Sequence, residues 1–261
     1  MSTIARLLDQ RSVGEVTLRM GHGGPAIIRE FGSSKFRIPK GSTEAILINT
    51  SGGLAGGDVV GVNAVVGENA SLTLTSQTAE RVYRSLGPPA DVKVTLKVEA
   101  GATLFWLPQE TILFEQSGLR RRLDVELHAR ITFLAVESLV FGRHEMGEVI
   151  KSVDLSDRWV IRCDGKLIHA EQFKLGPDLP NSIATLGNNR AMATVLFVSP
   201  EAEARLEAVR GSLSKNDGAS AWNGKLVARL VAKDGFHLRK TLIKVLTACV
   251  GQSNLPKTWT F

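Results

Sequence analysis

The residues best suited to chemistry lie in a short glycine-rich stretch. Two glycine pairs, Gly52 with Gly53 and Gly56 with Gly57, are separated by two residues and followed at once by Asp58. Because glycine adopts positive φ freely, the two pairs predict two sharp turns with a carboxylate just beyond them. A turn of this kind is also typical of a connection between strands that carries no chemistry.

Two phosphate-binding motifs are excluded by the residues around these glycines. A P-loop needs GxxxxGK[ST], whereas here Asp58 stands where such loops place a cation. A dinucleotide-binding GxGxxG must open a helix, yet residues 59–75 continue as the β-type alternation of apolar and polar residues. On its local sequence alone, the stretch is therefore interpreted as a tight β-connection.

No catalytic motif is found in the rest of the chain. The five histidines are scattered: His22, His128, His144, His169 and His237. The segment HEMGE lacks the second histidine of a zinc-binding HExxH, and GxSxG is absent from the sequence. These motifs therefore give no positive argument for an enzyme. One catalytic alternative stays open, a hydrolase that uses Asp58 with Glu137 or Glu171, which requires carboxyl groups roughly 5 to 10 Å apart.

A second turn-rich segment, FGRHEMGE at residues 141–148, contains Gly142 and Arg143. Its composition is typical of a loop, and we expect Arg143 to brace the turn through hydrogen bonds.

Six motifs spread over nearly the whole chain resemble the UreD (UreH) family of urease accessory proteins. They are NTSGGLAGGD (49–58), TSQTAERVYRS (75–85), WLPQETILFEQSGLRRRLDVEL (106–127), ESLVFGRHEMGE (137–148), DRWVIRCDGKLIHAE (157–171) and LPKTW (255–259). The resemblance implies a non-catalytic, largely β scaffold that helps to insert nickel into apo-urease. It also implies a complex with UreF and the GTPase UreG that docks onto apo-urease, and an internal path for Ni²⁺.

The same resemblance implies which side chains serve that path. Matching positions are Asp58 after the second glycine pair, Glu80, Glu137 and Glu171. Val59 stands where some members carry a second acid, and the position of Glu80 varies within the family. Isolated carboxylates without cysteine or clustered histidine bind Ni²⁺ weakly, which suits an ion in transit and implies no tightly bound cofactor.

Length and composition bound the elements that must position these residues. A chain of 261 residues with 43% hydrophobic and 22% charged residues predicts one globular domain, 1–261. No apolar run approaches the length of a membrane span, and residues 1–15 lack a signal-peptide pattern, so we expect a cytoplasmic protein. Cys163 and Cys249 are too far apart in sequence to indicate a CxxC metal site or a disulfide framework.

The net charge of +6 and the pI near 9.5 raise the question of an acidic partner. The one basic run, Arg120 to Arg122, lies beside a predicted strand, and we interpret it as a solvated face or a contact for an acidic protein, with no nucleic acid. The alternative is a β-rich binding module for an acidic polymer or nucleic acid, whose binding would weaken steeply with salt.

An internal repeat indicates the fold. ASLTLTSQT from residue 70 aligns with ATLFWLPQE from residue 102, at an offset of 32, and then with ARITFLAVE from residue 129, at an offset of 27. An alternating strand precedes each copy, so we predict stacked, solenoid-like strand pairs. In that register Glu110 and Glu137 are neighbours, with Glu80 at the next level.

The last third of the chain predicts a hairpin and two helices. Asp164 and Gly165 form a two-residue turn between alternating strands. Residues 199–201 predict the start of one helix, whose apolar stripe is Ala202, Leu206, Val209 and Leu213. Asp234 predicts the cap of another, whose apolar face is Leu238, Leu242, Val245, Leu246 and Cys249. The fold class is thus mainly β, a single domain with two α-helices near the C-terminus. Trp222 and Trp259 are predicted to be exposed anchors for a partner.

Overall fold

Seventeen strands in two sheets make up most of the chain in the computed structural model, which describes residues 11–143, 146–176 and 186–259. The prediction that residues 1–15 lack a signal-peptide pattern concerns mainly residues 1–10, which lie outside this part. His144 and Glu145 also lie outside it. The strands are β1 (Val13–Gly21), β2 (Gly24–Gly32), β3 (Ser34–Arg37), β4 (Glu44–Asn49), β5 (Val59–Val66), β6 (Ser71–Ser76), β7 (Glu80–Val82), β8 (Ala90–Val98), β9 (Thr103–Leu107), β10 (Thr111–Leu113), β11 (Ser117–Leu127), β12 (Thr132–Phe141), β13 (Val153–Cys163), β14 (Lys166–Leu175), β15 (Ala191–Val198), β16 (Gly218–Trp222) and β17 (Lys225–Ala232).

The chain alternates between the two sheets in the middle of the fold. The first sheet has the order β14-β13-β11-β8-β5-β1-β2, and the second runs β16-β17-β15-β12-β9-β6-β4-β3, with β7 and β10 attached through β12. Strands β5, β8 and β11 pair in parallel in the first sheet, and β6, β9 and β12 do so in the second. Each successive coil thus adds one strand to each sheet, which confirms the mainly β, solenoid-like prediction.

The first predicted register is confirmed and the second is wrong. Ser71 faces Thr103, an offset of 32, as the repeat predicts. Thr103 faces Thr132, an offset of 29 instead of 27, and Ala90 faces Leu119 at the same offset of 29 in the first sheet. A shift of two residues keeps every side chain on its face of the sheet, so alternation alone does not distinguish the two registers.

Antiparallel strands close both ends of the stack. At one end β1 and β2 form a hairpin, and at the other β13 and β14 form the predicted hairpin. Its turn residues Asp164 and Gly165 have φ values of +49° and +75°, as a two-residue hairpin turn requires. Strands β15, β17 and β16 extend the second sheet in antiparallel order.

Two helices near the C-terminus pack with the outer face of the second sheet. The first is shorter than its sequence predicts, a 3-10 turn at Glu203–Arg205 followed by α1 (Leu206–Arg210). The second, α2 (Gly235–Val250), begins where predicted, because the side chain of Asp234 accepts a hydrogen bond from the backbone N–H of His237. Its buried face is the predicted one, Leu238, Leu242, Val245, Leu246 and Cys249.

Three apolar clusters form the interior. Two of them lie between the sheets, and the third lies under the two helices. Trp259 belongs to the third cluster with an exposure of 1%, and its indole N–H donates to the backbone oxygen of Leu107, so the prediction of an exposed anchor is wrong there. Trp222 is 43% exposed, as predicted. None of the helices described is long and apolar enough to span a bilayer.

Candidate functional site

Three ionisable side chains interrupt the apolar interior between the two sheets. Arg121 on β11 and Asp157 on β13 come from the first sheet, and Glu137 on β12 comes from the second. Each is at most 6% exposed. We name these three residues the polar layer, because they separate two apolar clusters. Their inward-facing neighbours along the strands are Leu123, Trp159 and Ala135 in one cluster and Leu119, Leu155 and Leu139 in the other.

The guanidinium of Arg121 holds the polar layer together. Its Nη1 lies 2.5 Å from Glu137 Oε2, and its Nη2 lies 2.5 Å from Asp157 Oδ2. Nη1 also donates to Thr111 Oγ1 at 3.2 Å, and the indole N–H of Trp106 donates to Glu137 Oε1 at 2.8 Å. Arg121 and Asp157 face each other directly in the β11–β13 register, so the strand pairing itself positions this contact.

Burial sets the protonation of these groups. Removal from water raises the pKa of Glu137 from 4.5 to about 7, against the attraction of Arg121 and with the repulsion of Asp157. Burial alone lowers the pKa of Arg121, but the two carboxylates outweigh it, and the net pKa is raised. Arg121 therefore stays charged, and the layer carries one net negative charge when both carboxyls are ionised.

On one side of the polar layer lies a cavity of about 160 Å³. Arg121 and Glu137 line it, and so do Asn49 and Glu80 near the glycine-rich turns. Asn49 Nδ2 donates to Glu80 Oε2 at 3.1 Å. Burial raises the pKa of Glu80, and the hydrogen bond from Asn49 opposes that rise.

On the other side lies a much smaller cavity of about 10 Å³, lined among others by Glu137, Asp157, Glu171 and Thr194. Such a volume is the lower limit for one water molecule. Glu171 Oε1 lies 2.5 Å from Arg229 Nη1, and Glu171 Oε2 lies 3.6 Å from His169 Nε2, too far for a hydrogen bond. Burial raises the pKa of Glu171, but His169 and Arg229 together lower it by more than burial raises it. The net pKa of Glu171 therefore lies below its usual value.

Three of the four predicted path residues are therefore linked by these cavities. Glu80 lines the larger cavity, Glu171 lines the smaller one, and Glu137 lines both. Glu110, which is predicted to be a neighbour of Glu137, takes no part in this arrangement. It lies 3.5 Å from Arg239 and lines neither cavity, whereas Glu137 binds Arg121.

Asp58 has a different environment. Its carboxylate is 4% exposed and accepts two backbone hydrogen bonds, from Ser12 N to Oδ1 and from Ala55 N to Oδ2, both at 2.8 Å. These contacts tie the glycine-rich turn to the start of β1. Asp58 is not among the residues that line the two cavities, and its role in a path stays a prediction.

The glycine-rich stretch forms the sharp turns that its sequence predicts. Gly52, Gly53 and Gly57 have positive φ values of +77°, +148° and +86°. At Gly53 a Cβ atom would lie 2.4 Å from the ring of Tyr83, and at Gly56 it would lie 2.1 Å from Ser85 Oγ. Close approach, and not only backbone conformation, therefore requires glycine here.

The second turn-rich segment also has the predicted brace. Arg143 donates from its backbone N and its Nε to Glu148 Oε2, at 2.9 and 3.0 Å. Gly142 precedes it with a φ of +83°, and a Cβ there would lie 2.9 Å from Ile150. The neighbouring His144, the one histidine of the HEMGE segment, lies outside the described residues.

A tight metal site is not part of this arrangement. Within residues 11–143, 146–176 and 186–259, no group of three or more histidine, cysteine, aspartate or glutamate side chains has the geometry to hold a metal ion. The carboxylates occur singly or already bind a cationic side chain. They offer the oxygen ligands of weak, exchangeable sites.

Arg121 and Asp157 are the residues that sequence reasoning missed. The interpretation of residues 120–122 as a solvated or partner-binding basic run is wrong for Arg121, which is buried. The missed signal is the alternation of the strand, since residue 121 has the same parity as the buried Leu119 and Leu123. Asp157 likewise shares the inward parity of Leu155 and Trp159.

The sequence is similar to known proteins over nearly its whole length. The profile of a family described as "UreD urease accessory protein" matches residues 5–260. A protein of Mesorhizobium japonicum named urease accessory protein UreD is 45% identical over 238 residues, which cover 87% of this chain and 85% of that protein. A protein of the same name from Brucella suis is 44% identical over 259 residues, 95% of this chain and 93% of that relative.

Proposed function

This chain belongs to the UreD family of urease accessory proteins, and we propose that it acts as a non-catalytic scaffold of urease maturation, in the cytoplasm, with UreF, the GTPase UreG and apo-urease as its partners. The observation that supports the role is similarity along almost the entire chain, with about the same length in the relatives. Similarity over the whole chain, and not at one local site, fits a protein that contacts several partners in an assembly.

Within that role, Ni²⁺ is the cargo, and it moves through the interior past Glu80, Glu137 and Glu171. The single observation that carries this proposal is that Glu137 lines both cavities, with Glu80 on the larger and Glu171 on the smaller. Oxygen ligands at separate levels bind Ni²⁺ weakly enough to release it to the next level.

The energetics of the polar layer support a functional origin. Buried ion pairs contribute little to stability compared with apolar residues of similar volume, because desolvation offsets their attraction. An arginine and two carboxylates between two apolar clusters are therefore poorly explained by stability alone. A passage for a cation gives them a role that leucine or valine would not fill.

The small cavity limits how this transport takes place. About 10 Å³ does not admit an ion with a full shell of waters. Ni²⁺ therefore exchanges waters for carboxylate oxygens at Glu137, and side chains at the polar layer move as it passes.

The assembly is tested by co-expression with UreF and UreG, gel filtration, and activation of apo-urease with GTP and nickel. We expect one stoichiometric complex that binds apo-urease and activates it. A folded chain that elutes alone, and whose omission leaves activation unchanged, contradicts the scaffold role.

The structure does not favour the polymer-binding alternative. The basic run that motivated it is divided, because Arg121 is buried in the polar layer and Arg122 binds Asp91 at 2.9 Å. Polymer binding would appear as an affinity for nucleic acid that falls steeply with salt.

A further inference from the structure

We propose that Arg121 is the gate of the nickel path: its guanidinium occupies the Glu137–Asp157 pair as a tethered cation, and Ni²⁺ crosses the polar layer only when the guanidinium leaves. This inference rests on the proposed function, since a gate presupposes that the cavities conduct nickel. It also assigns Asp157 to the path, as a ligand that faces Glu137 across the gate.

The contacts of Arg121 exclude a second cation from the same place. Its two terminal nitrogens each lie 2.5 Å from one carboxylate, Glu137 on one sheet and Asp157 on the other. These are the oxygens that Ni²⁺ would bind on its way between the cavities. With the guanidinium in place, a divalent ion there would meet a fixed positive charge in a poorly screened interior.

Unpartnered buried atoms mark the same place as a site for a polar ligand. Among the described residues, Asp157 Oδ1 and Arg121 Nε at the polar layer are buried and make no hydrogen bond. Glu171 Oε2, on the smaller cavity, also makes none and lies 3.6 Å from His169 Nε2. Buried polar atoms are nearly always paired in native proteins, so the unpaired Asp157 Oδ1 and Arg121 Nε leave the polar layer with the capacity to bind a further polar ligand.

The charge of the layer changes with the position of Arg121. With the guanidinium bound, the two ionised carboxylates and the arginine sum to one negative charge. Without it, the carboxylates carry two negative charges when both are ionised, which matches a divalent cation. Arg121 and Ni²⁺ therefore replace one another, so that the buried carboxylates keep a positive partner throughout.

The displaced side chain has room on one side only. Arg121 lines the larger cavity of about 160 Å³, where Gln109 and Thr111 also lie, whereas the cavity toward Glu171 measures about 10 Å³. The hydroxyl of Thr111 already accepts from Nη1 at 3.2 Å, and the carboxylate of Glu80 lines the same cavity as a further acceptor. The gate thus opens by a swing of the guanidinium toward Glu80.

The test measures nickel binding directly, with no need for urease. The full-length chain, co-purified with UreF, is dialysed against Ni²⁺ at neutral pH, as wild type, as Arg121→Met, and as Arg121→Met with Asp157→Asn. We expect about one additional Ni²⁺ per chain in Arg121→Met, because two carboxylates are freed, and its loss in the double variant. Equal nickel contents in wild type and Arg121→Met overturn the gate.

Arg121→Lys covers the case in which Arg121→Met fails to fold. A lysine ammonium keeps the charge but lacks the fork that bridges two carboxylates, so we expect nickel binding between those of wild type and Arg121→Met. If Arg121→Lys folds and binds no more nickel than wild type, the gate is contradicted.

Urease activation by Glu137→Gln separates the gate from the path. Extra nickel in Arg121→Met together with full activation by Glu137→Gln would mean that the site exists and the path does not. Loss of activation by Glu137→Gln without extra nickel in Arg121→Met would keep the path and remove the gate.

Discussion

At the scale of single residues, neighbouring charges give the buried carboxyls of Glu137 and Glu171 opposite net pKa shifts. Glu137 lies inside the molecule beside another carboxylate, and its pKa is raised to about 7. Glu171 binds Arg229 and lies near His169, and its pKa is lowered. The two carboxylates of the proposed path therefore hold protons differently at neutral pH.

The raised pKa of Glu137 predicts the pH dependence of folding. Because its folded-state pKa lies above 4.5, its contribution to stability is complete below pH 4.5 and is lost as pH rises through about 7. We expect the unfolding free energy of wild type, relative to Glu137→Gln, to fall over this window by at most about 3 kcal/mol. Urea denaturation at several pH values measures it.

Glu171→Gln is the matched control for that experiment. Because the pKa of Glu171 is lowered in the folded state, its contribution to stability is complete above the pKa of the unfolded state. That contribution is lost as pH falls through the pKa of the folded state. The wild-type stability relative to this variant should therefore fall toward acid pH, the opposite slope. Parallel curves for the two comparisons contradict the environments described for these side chains.

The glycine-rich turn gives a second test at this scale. At Gly53 a Cβ would meet the ring of Tyr83 at 2.4 Å and the backbone oxygen of Arg81 at 2.8 Å. We expect Gly53→Ala to destabilise the protein by roughly 2 to 4 kcal/mol, from overpacking and strain. Gly52→Ala is the control, because only the φ of +77° opposes it and the space is open, so about 1 kcal/mol is expected. Denaturant midpoints distinguish the two, and equal losses would contradict the close approach at Gly53.

At the scale of elements, α2 depends on its cap. Asp234 Oδ1 accepts from the backbone N of His237 at 2.8 Å, and the helix buries five side chains against the interior. We expect Asp234→Ala to lower the unfolding free energy by about 1 kcal/mol. In Glu207→Ala, which removes an exposed acid paired with Arg210, the loss should stay below about 0.5 kcal/mol. A loss in Asp234→Ala no greater than in Glu207→Ala would show that the cap contributes nothing.

Elements whose signals are local could be predicted from the sequence. The turn at Asp164 and Gly165, the cap at Asp234 and the buried face of α2 all follow from a few neighbouring residues. The first helix is shorter than its apolar stripe, since tertiary contacts decide marginal helices. The offset of 29 between the later coils depends on hydrogen bonding between distant strands, which alternation does not encode.

The candidate site was predictable only in part, for a similar reason. Glu80, Glu137 and Glu171 came from resemblance to a family, and the cavities link them. Arg121 was hidden within a basic run, although strand parity indicates that it faces inward. That its partners are Asp157 and Glu137 follows from the pairing of β11 with β13 and from the contact between the sheets, both of which involve long sequence separations.

At the scale of the whole molecule, two sheets enclose two apolar clusters that the polar layer separates. The cavities lie at this level, from the glycine-rich turns near Glu80 to the edge hairpin that carries Glu171. Each stacked coil adds one strand to each sheet, and successive parallel strands of the first sheet pair at offsets of 32 and 29 residues. The central claim is that nickel for urease passes through the interior at the level of the polar layer.

The most direct measurement of that claim is the initial rate of apo-urease activation at limiting nickel, with complexes that carry Glu137→Gln, Glu171→Gln or the control Glu110→Gln. Glu110 is a nearby acid that binds Arg239 and lines neither cavity. We expect the two path variants to slow activation by roughly tenfold or more, since about 1.4 kcal/mol of lost attraction for the ion gives that factor, and excess nickel to restore part of the rate. The control should match wild type. Wild-type rates in Glu137→Gln and Glu171→Gln, with the complex intact, would contradict the path.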